Sequence, residues 1–107
     1  PDVIVTGVSE EPKENNIPAE FSLKQNYPNP FNPTTVIEYD LKEDSKVTLS
    51  IFNILGEKIT DIVNGEQIAG SYKINFNSED YSLSSGIYFY SVRISNFVST
   101  KKMVYLK

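Results

Sequence analysis

Tyr27-Pro28-Asn29-Pro30-Phe31-Asn32-Pro33, followed at once by Thr34-Thr35-Val36-Ile37-Glu38-Tyr39-Asp40-Leu41, holds the change of pattern that decides the fold. Each proline of the first run lacks a backbone donor and holds φ near about −65°, and Asn29 and Asn32, preceding prolines, are pushed towards extended geometry. Such a run cannot be a central strand. It predicts a short polyproline-II rod in which, at three residues per turn, Asn26, Asn29 and Asn32 share one edge. Tyr27 and Phe31 then project from other edges as aromatic pegs, expected to pack on a β domain. From Thr34 the period becomes two: Thr35, Ile37, Tyr39 and Leu41 face one way and Val36, Glu38 and Asp40 the other, a strand with one wet face.

Beyond it, Val47, Leu49 and Ile51 alternate with Lys46, Thr48 and Ser50 after a Lys42-Glu43-Asp44-Ser45 turn, predicting a second strand paired with the first. Asn53-Ile54-Leu55-Gly56 interrupts the alternation, Gly56 supplying the positive φ of a tight reversal. A third strand is expected at residues 57 to 63, closed by an Asn64-Gly65 turn signal; Tyr72, Ile74 and Phe76 resume the alternation after Gly70. A polar loop from Asn77 to Ser85, with Tyr81 and Leu83 tucked inward, leads to Gly86 to Ile94, apolar on both sides and therefore a central strand. In the last run, Phe97 to Leu106, Met103-Val104-Tyr105-Leu106 is apolar without a break, so both faces need cover, or a β-bulge near Lys101 and Lys102 switches the inward side. No helix is needed. About seven short strands separated by turns give an all-β, antiparallel β-sandwich with a Pro-rich N-terminal lead-in.

The chain of 107 residues is long enough for one domain. With 39% hydrophobic and 12% aromatic residues it has a folding composition rather than a disordered one. All six prolines fall within the first 33 residues, so the break between flexible and packed sequence is expected just after Pro33; residues 1–20 read as a flexible linker from a larger parent protein, and 21–107 as the sandwich domain with its lead-in. Residues 1–16 are expected to be mobile, with Val3-Ile4-Val5 as the tail of a strand, and a start at Pro1 without an initiator Met reads as a fragment. A net charge of −4 argues against nucleic acid and anionic membrane as partners. No stretch approaches the roughly 18 apolar residues of a membrane span, so no direct membrane insertion is expected. The Lys101, Lys102 and Lys107 cluster reads first as a guard on an edge strand.

With no histidine and no cysteine, the chain lacks the means for a Ser-His-Asp triad, a Cys-His pair and nearly every zinc site. The adjacent pairs Glu43-Asp44 and Glu79-Asp80 point to opposite faces on a regular strand. Asn77-Ser78-Glu79-Asp80 lacks the spacing of the known calcium loop, and the dispersed glycines form no phosphate-cradling loop. Catalytic, cofactor-binding and metal-binding residues are therefore all expected to be none. Seven tyrosines and six phenylalanines suggest stacking on sugars, yet there is no tryptophan, and most of the rings fall on alternating core positions. The residues alone leave open an immunoglobulin-like spacer or adhesion module, a carbohydrate-binding accessory module of a secreted enzyme, and a recognition segment.

Four separated blocks narrow the choice: Asn26-Tyr27-Pro28-Asn29-Pro30-Phe31-Asn32-Pro33-Thr34-Thr35, Ile51-Phe52-Asn53-Ile54-Leu55-Gly56, Ser85-Gly86-Ile87-Tyr88-Phe89-Tyr90 and Thr100-Lys101-Lys102-Met103-Val104. In this order they resemble the type A C-terminal sorting domain of type IX secretion cargo, over about residues 17 to 107. The resemblance implies an immunoglobulin-like sandwich that directs a covalently continuous N-terminal passenger across the outer membrane and is itself no enzyme. It implies the type IX translocon and its surface peptidase as partners, and passage through the periplasm to the cell surface or medium. Cleavage is expected in the unpaired leader upstream of Phe21, since a protease needs extended backbone. The recognition residues so implied are Asn26, Tyr27, Pro28, Asn29, Pro30, Phe31, Asn32, Pro33, Gly86, Tyr88, Lys101, Lys102, Met103 and Val104.

Overall fold

A computed structural model describes residues 17–107. The expectations of a mobile stretch over residues 1–16 and of a strand end at Val3-Ile4-Val5 lie outside the described residues. Alternating β-branched and aromatic residues produce strands β1 (Ser22–Leu23), β2 (Thr34–Leu41), β3 (Ser45–Phe52), β4 (Lys58–Gln67), β5 (Gly70–Asn77), β6 (Gly86–Ile94) and β7 (Phe97–Tyr105). They form two antiparallel sheets, one in the order β1-β2-β5 and the other β4-β3-β6-β7. The expected all-β sandwich is what the chain forms. Its core lies between the sheets, where Ile37, Tyr39 and Leu41 of β2 meet Val47, Leu49 and Ile51 of β3 and Tyr90, Val92 and Ile94 of β6, all without solvent contact. Each such side chain contributes about 1.5–3 kcal/mol by leaving water.

The two faces of β2 are those the sequence predicts, and β6 lies inside its sheet between β3 and β7. The expected pairing of β2 with β3 is not found. The link Lys42 to Asp44 crosses from one sheet to the other, so β2 lies beside β1 and β5 while β3 lies beside β4 and β6. Alternation says which side of a strand is buried, and strands in one sheet or in two facing sheets satisfy it equally.

Asn64-Gly65 is not a turn either: both residues lie within β4, opposite Thr48 and Val47. On an edge strand with Asn64 exposed, a residue without a side chain loses little packing. The chain reverses instead at Ile68-Ala69, where the Ala69 N–H donates to Asp44 Oδ1 at 2.9 Å and Gly70 takes φ +149°. Gly56 has the expected positive φ, +83°.

The β-bulge expected near Lys101 and Lys102 is also absent. The β6–β7 register runs unbroken from Gly86↔Tyr105 to Ile94↔Phe97, and the irregularities fall between β3 and β4. Met103 and Tyr105 alternate inward and buried, whereas Val98 and Leu106 are exposed, so the outer side of the last strand remains in contact with solvent. In the polar loop, a single 3-10 turn over Ser78–Tyr81 leaves Tyr81 exposed, with its ring stacked at 5.6 Å on Phe76. Leu83 is half-buried against the core.

Candidate functional site

The Pro-rich lead-in straps the side of the sandwich where β2 of one sheet and β7 of the other lie. It begins on the first sheet: the Lys24 N–H donates to the Glu38 carbonyl at 2.9 Å, and Tyr27 and Val36 exchange backbone hydrogen bonds of 3.0 and 2.9 Å. It then changes sheets. The Phe31 N–H donates to the Val104 carbonyl at 2.9 Å and the Leu106 N–H to the Phe31 carbonyl at 3.0 Å, a parallel bridge to β7. The Tyr27–Pro28, Asn29–Pro30 and Asn32–Pro33 bonds are cis. The expected straight polyproline-II rod does not form, because the run is tied to one sheet at Tyr27 and to the other at Phe31.

The expected asparagine edge is corrected too, since the three side chains have different surroundings. Asn26 is 3% exposed. Its Nδ2 donates to Thr35 Oγ1 at 3.0 Å and to the Pro28 carbonyl at 3.2 Å, and its Oδ1 accepts from Gln25 Nε2 at 2.7 Å. Its backbone N–H donates to the Tyr90 hydroxyl at 2.7 Å, and that hydroxyl donates to the Lys24 carbonyl at 2.7 Å. A buried amide left without partners costs several kcal/mol, and here each polar atom is occupied. Burial pushes the Tyr90 phenol up to about 12, the Asn26 N–H opposing the rise. Asn29, on the surface, accepts at Oδ1 from the Val104 N–H at 2.9 Å, while Asn32 is exposed.

Of the two aromatic pegs, one is seated. Phe31 is 2% exposed, stacked on Tyr105 at 5.3 Å and edge-on to Phe76 at 6.2 Å. Tyr27 is 76% exposed and does not pack as expected. With Asn26 turned inward, the alternation of extended backbone sends the next side chain out. Pro28 and Pro30 are exposed beside it and Pro33 is half-buried.

The C-terminal block meets this segment. On β6, Gly86 lies opposite Tyr105 and Tyr88 opposite Met103. Met103 is fully buried, Lys101 half-buried and Lys102 exposed. Gln25 Nε2 donates to the Lys102 carbonyl at 2.7 Å. The structure thus brings Asn29 and Phe31 into contact with Val104 and Tyr105, while Tyr27 is held on the other sheet and Asn26 bonds to both, through Thr35 and Tyr90. Sequence reasoning missed Gln25, Thr35 and Tyr90; paired polar groups far apart in the chain give no local signal.

At the start of the lead-in, Asp40 accepts from Lys24 Nζ at 2.7 Å, Ser22 Oγ at 3.0 Å and Ser71 Oγ at 2.8 Å. Partial burial works to raise its carboxyl, but Lys24, Ser71 and Ser22 together hold it below the usual carboxylate range. Among the described residues, no group of three or more Asp and Glu is placed to hold a metal. The arrangement is a hydrogen-bonded surface with a protruding aromatic ring, suited to contact with another macromolecule. The family model described as the secretion system C-terminal sorting domain matches residues 25–106, which takes in both the lead-in and β7. No curated protein matches the chain.

Proposed function

The chain belongs to the family of secretion system C-terminal sorting domains, and we propose that it does its work by presenting the corner where the lead-in meets β7. Domains of this family are sorting signals of type IX secretion, without enzymatic activity, that direct export to the cell surface or the medium and so interact with the secretion system. Beyond that role, the translocon reads the folded domain in the periplasm, displayed behind an N-terminal passenger to which the linker over residues 1–20 joins it. The surface peptidase then cuts in the linker over residues 1–20, because the paired backbone from Ser22 onward cannot enter a protease cleft as an extended strand. The domain supplies the substrate of that cut.

The observation that supports this reading is the joining of the first and last matched blocks through the Asn29 and Phe31 hydrogen bonds to β7. Its test is a fusion of residues 1–107 behind a signal peptide and a folded reporter, in a host with type IX secretion. Reporter at the cell surface or in the medium is the expected result. A folded fusion that stays in the periplasm would overturn it and favour an immunoglobulin-like spacer.

A further inference from the structure

We infer that Asn29 is a positioning residue for export: its amide oxygen fastens the Pro-rich segment to the last strand, making one recognition element that exists only in the folded domain. This rests on the sorting-signal reading above. β7 is the edge of its sheet, and an edge strand carries outward backbone groups with no ladder to satisfy them. Four of these groups in sequence are taken by the strap: the Lys102 carbonyl by Gln25 Nε2, the Val104 N–H by Asn29 Oδ1, and the Val104 carbonyl and Leu106 N–H by the Phe31 backbone. Prolines at 28, 30 and 33 have no N–H to give, so the backbone continues the ladder only at Phe31. Ahead of that point, side chains of Gln25 and Asn29 replace it.

Asn29 lies between the exposed Tyr27 and the buried Phe31. Loss of its oxygen leaves Tyr27 held by its backbone bonds to Val36, and Phe31 by its backbone bonds to β7 and its ring contacts with Tyr105 and Phe76, while Asn29 and Pro30 between them are released from Val104. Folding survives, and the fixed placement of the Asn29-Pro30 segment on the last strand does not. Neither block alone then carries the signal, and an unfolded sorting domain presents none.

The amide of Asn29 has a second group, Nδ2, for which no partner is found among the described residues. A receptor that reads the asparagine directly would use it. Asn29→Asp separates the two roles, because a carboxylate still accepts from the Val104 N–H but cannot donate. In the reporter fusion of residues 1–107, Asn29→Ala is expected to reduce export about fivefold, the equilibrium shift of one ordinary hydrogen bond. The Val104 amide, followed by hydrogen exchange, should lose protection by a similar factor. Asn29→Asp should restore both. Tyr39→Phe, which removes the hydroxyl bonded to Gln67, serves as a control for stability alone and should be exported normally.

Export of Asn29→Ala at the parent level overturns the inference and leaves the sorting reading intact. Restored protection of Val104 in Asn29→Asp without restored export overturns it in favour of direct reading of the amide. Loss of export in Tyr39→Phe equal to that in Asn29→Ala reduces the effect to stability and overturns it likewise. A parent fusion that never leaves the periplasm removes the sorting reading, and the inference with it.

Discussion

Replacing Phe31 by alanine is expected to destabilise the domain by about 3–5 kcal/mol, the cost of emptying a phenyl-sized volume in a packed core. The structure places this substitution at the upper part of that range. The ring is 2% exposed and is enclosed by Tyr105 at 5.3 Å and Phe76 at 6.2 Å, aromatic pairs that contribute about 0.5–1.5 kcal/mol each beyond the area they bury. Both neighbours belong to strands, β7 and β5, of different sheets, so neither moves into the gap without disturbing its own ladder. Against a total stability of about 5–15 kcal/mol for a small domain, the loss is about a fifth or more. Urea unfolding followed by tyrosine fluorescence should show the midpoint falling steeply at unchanged slope. Phe31→Leu, which keeps most of the volume and loses both aromatic pairs, should cost about 1–3 kcal/mol. A change below about 0.5 kcal/mol for Phe31→Ala, the range of ordinary surface substitutions, would show that the ring does not clamp the two sheets.

Tyr27→Ala should stay within about 0.5 kcal/mol of the parent in the same unfolding experiment, since the ring is 76% exposed; a larger loss would show that the ring is seated. Tyr90→Phe should cost about 1–3 kcal/mol at neutral pH, because it leaves the buried Asn26 N–H and the Lys24 carbonyl without their shared partner. Burial raises the Tyr90 phenol from 10.0 to about 12, so the folded protein keeps its proton where the unfolded chain has lost it. That contribution is whole below pH 10 and falls as pH rises towards 12, so the gap between Tyr90→Phe and the parent should narrow over this window. A gap constant up to pH 12 would refute the burial of the hydroxyl.

The strands were legible where the local pattern and the burial have the same cause. Thr35, Ile37, Tyr39 and Leu41 face inward because a half-buried strand needs alternation, and Tyr88, Tyr90, Val92 and Ile94 of β6 do so for the same reason. What was not legible depends on partners distant in sequence. The crossing between β2 and β3 is decided by β5 and β6, which come later in the chain, and Asn64-Gly65 is drawn into β4 by pairing with β3. The lead-in illustrates the same limit. Its stiffness was readable from the prolines, but its bend depends on Val36 and Val104, and the inward turn of Asn26 on a hydroxyl 64 residues away. The expectation for Phe31 held and that for Tyr27 failed for one reason, because the choice between two neighbouring aromatics belongs to the surface they meet.

The parallel bridge between Phe31 and Tyr105 has a mechanical consequence. Phe21 lies beside Phe97, with rings 5.9 Å apart, and Phe31 beside Tyr105, so the lead-in and β7 run side by side in the same direction. The eight steps from Phe97 to Tyr105 span roughly 26 Å at the usual rise of a strand. A load applied to the chain ahead of Phe21, and resisted at the far end of β7, is directed along both segments and across their hydrogen bonds. The bonds from Gln25, Asn29 and Phe31 to β7 then share the load in shear and yield together, whereas an antiparallel closing pair pulled from one end would peel open one bond at a time.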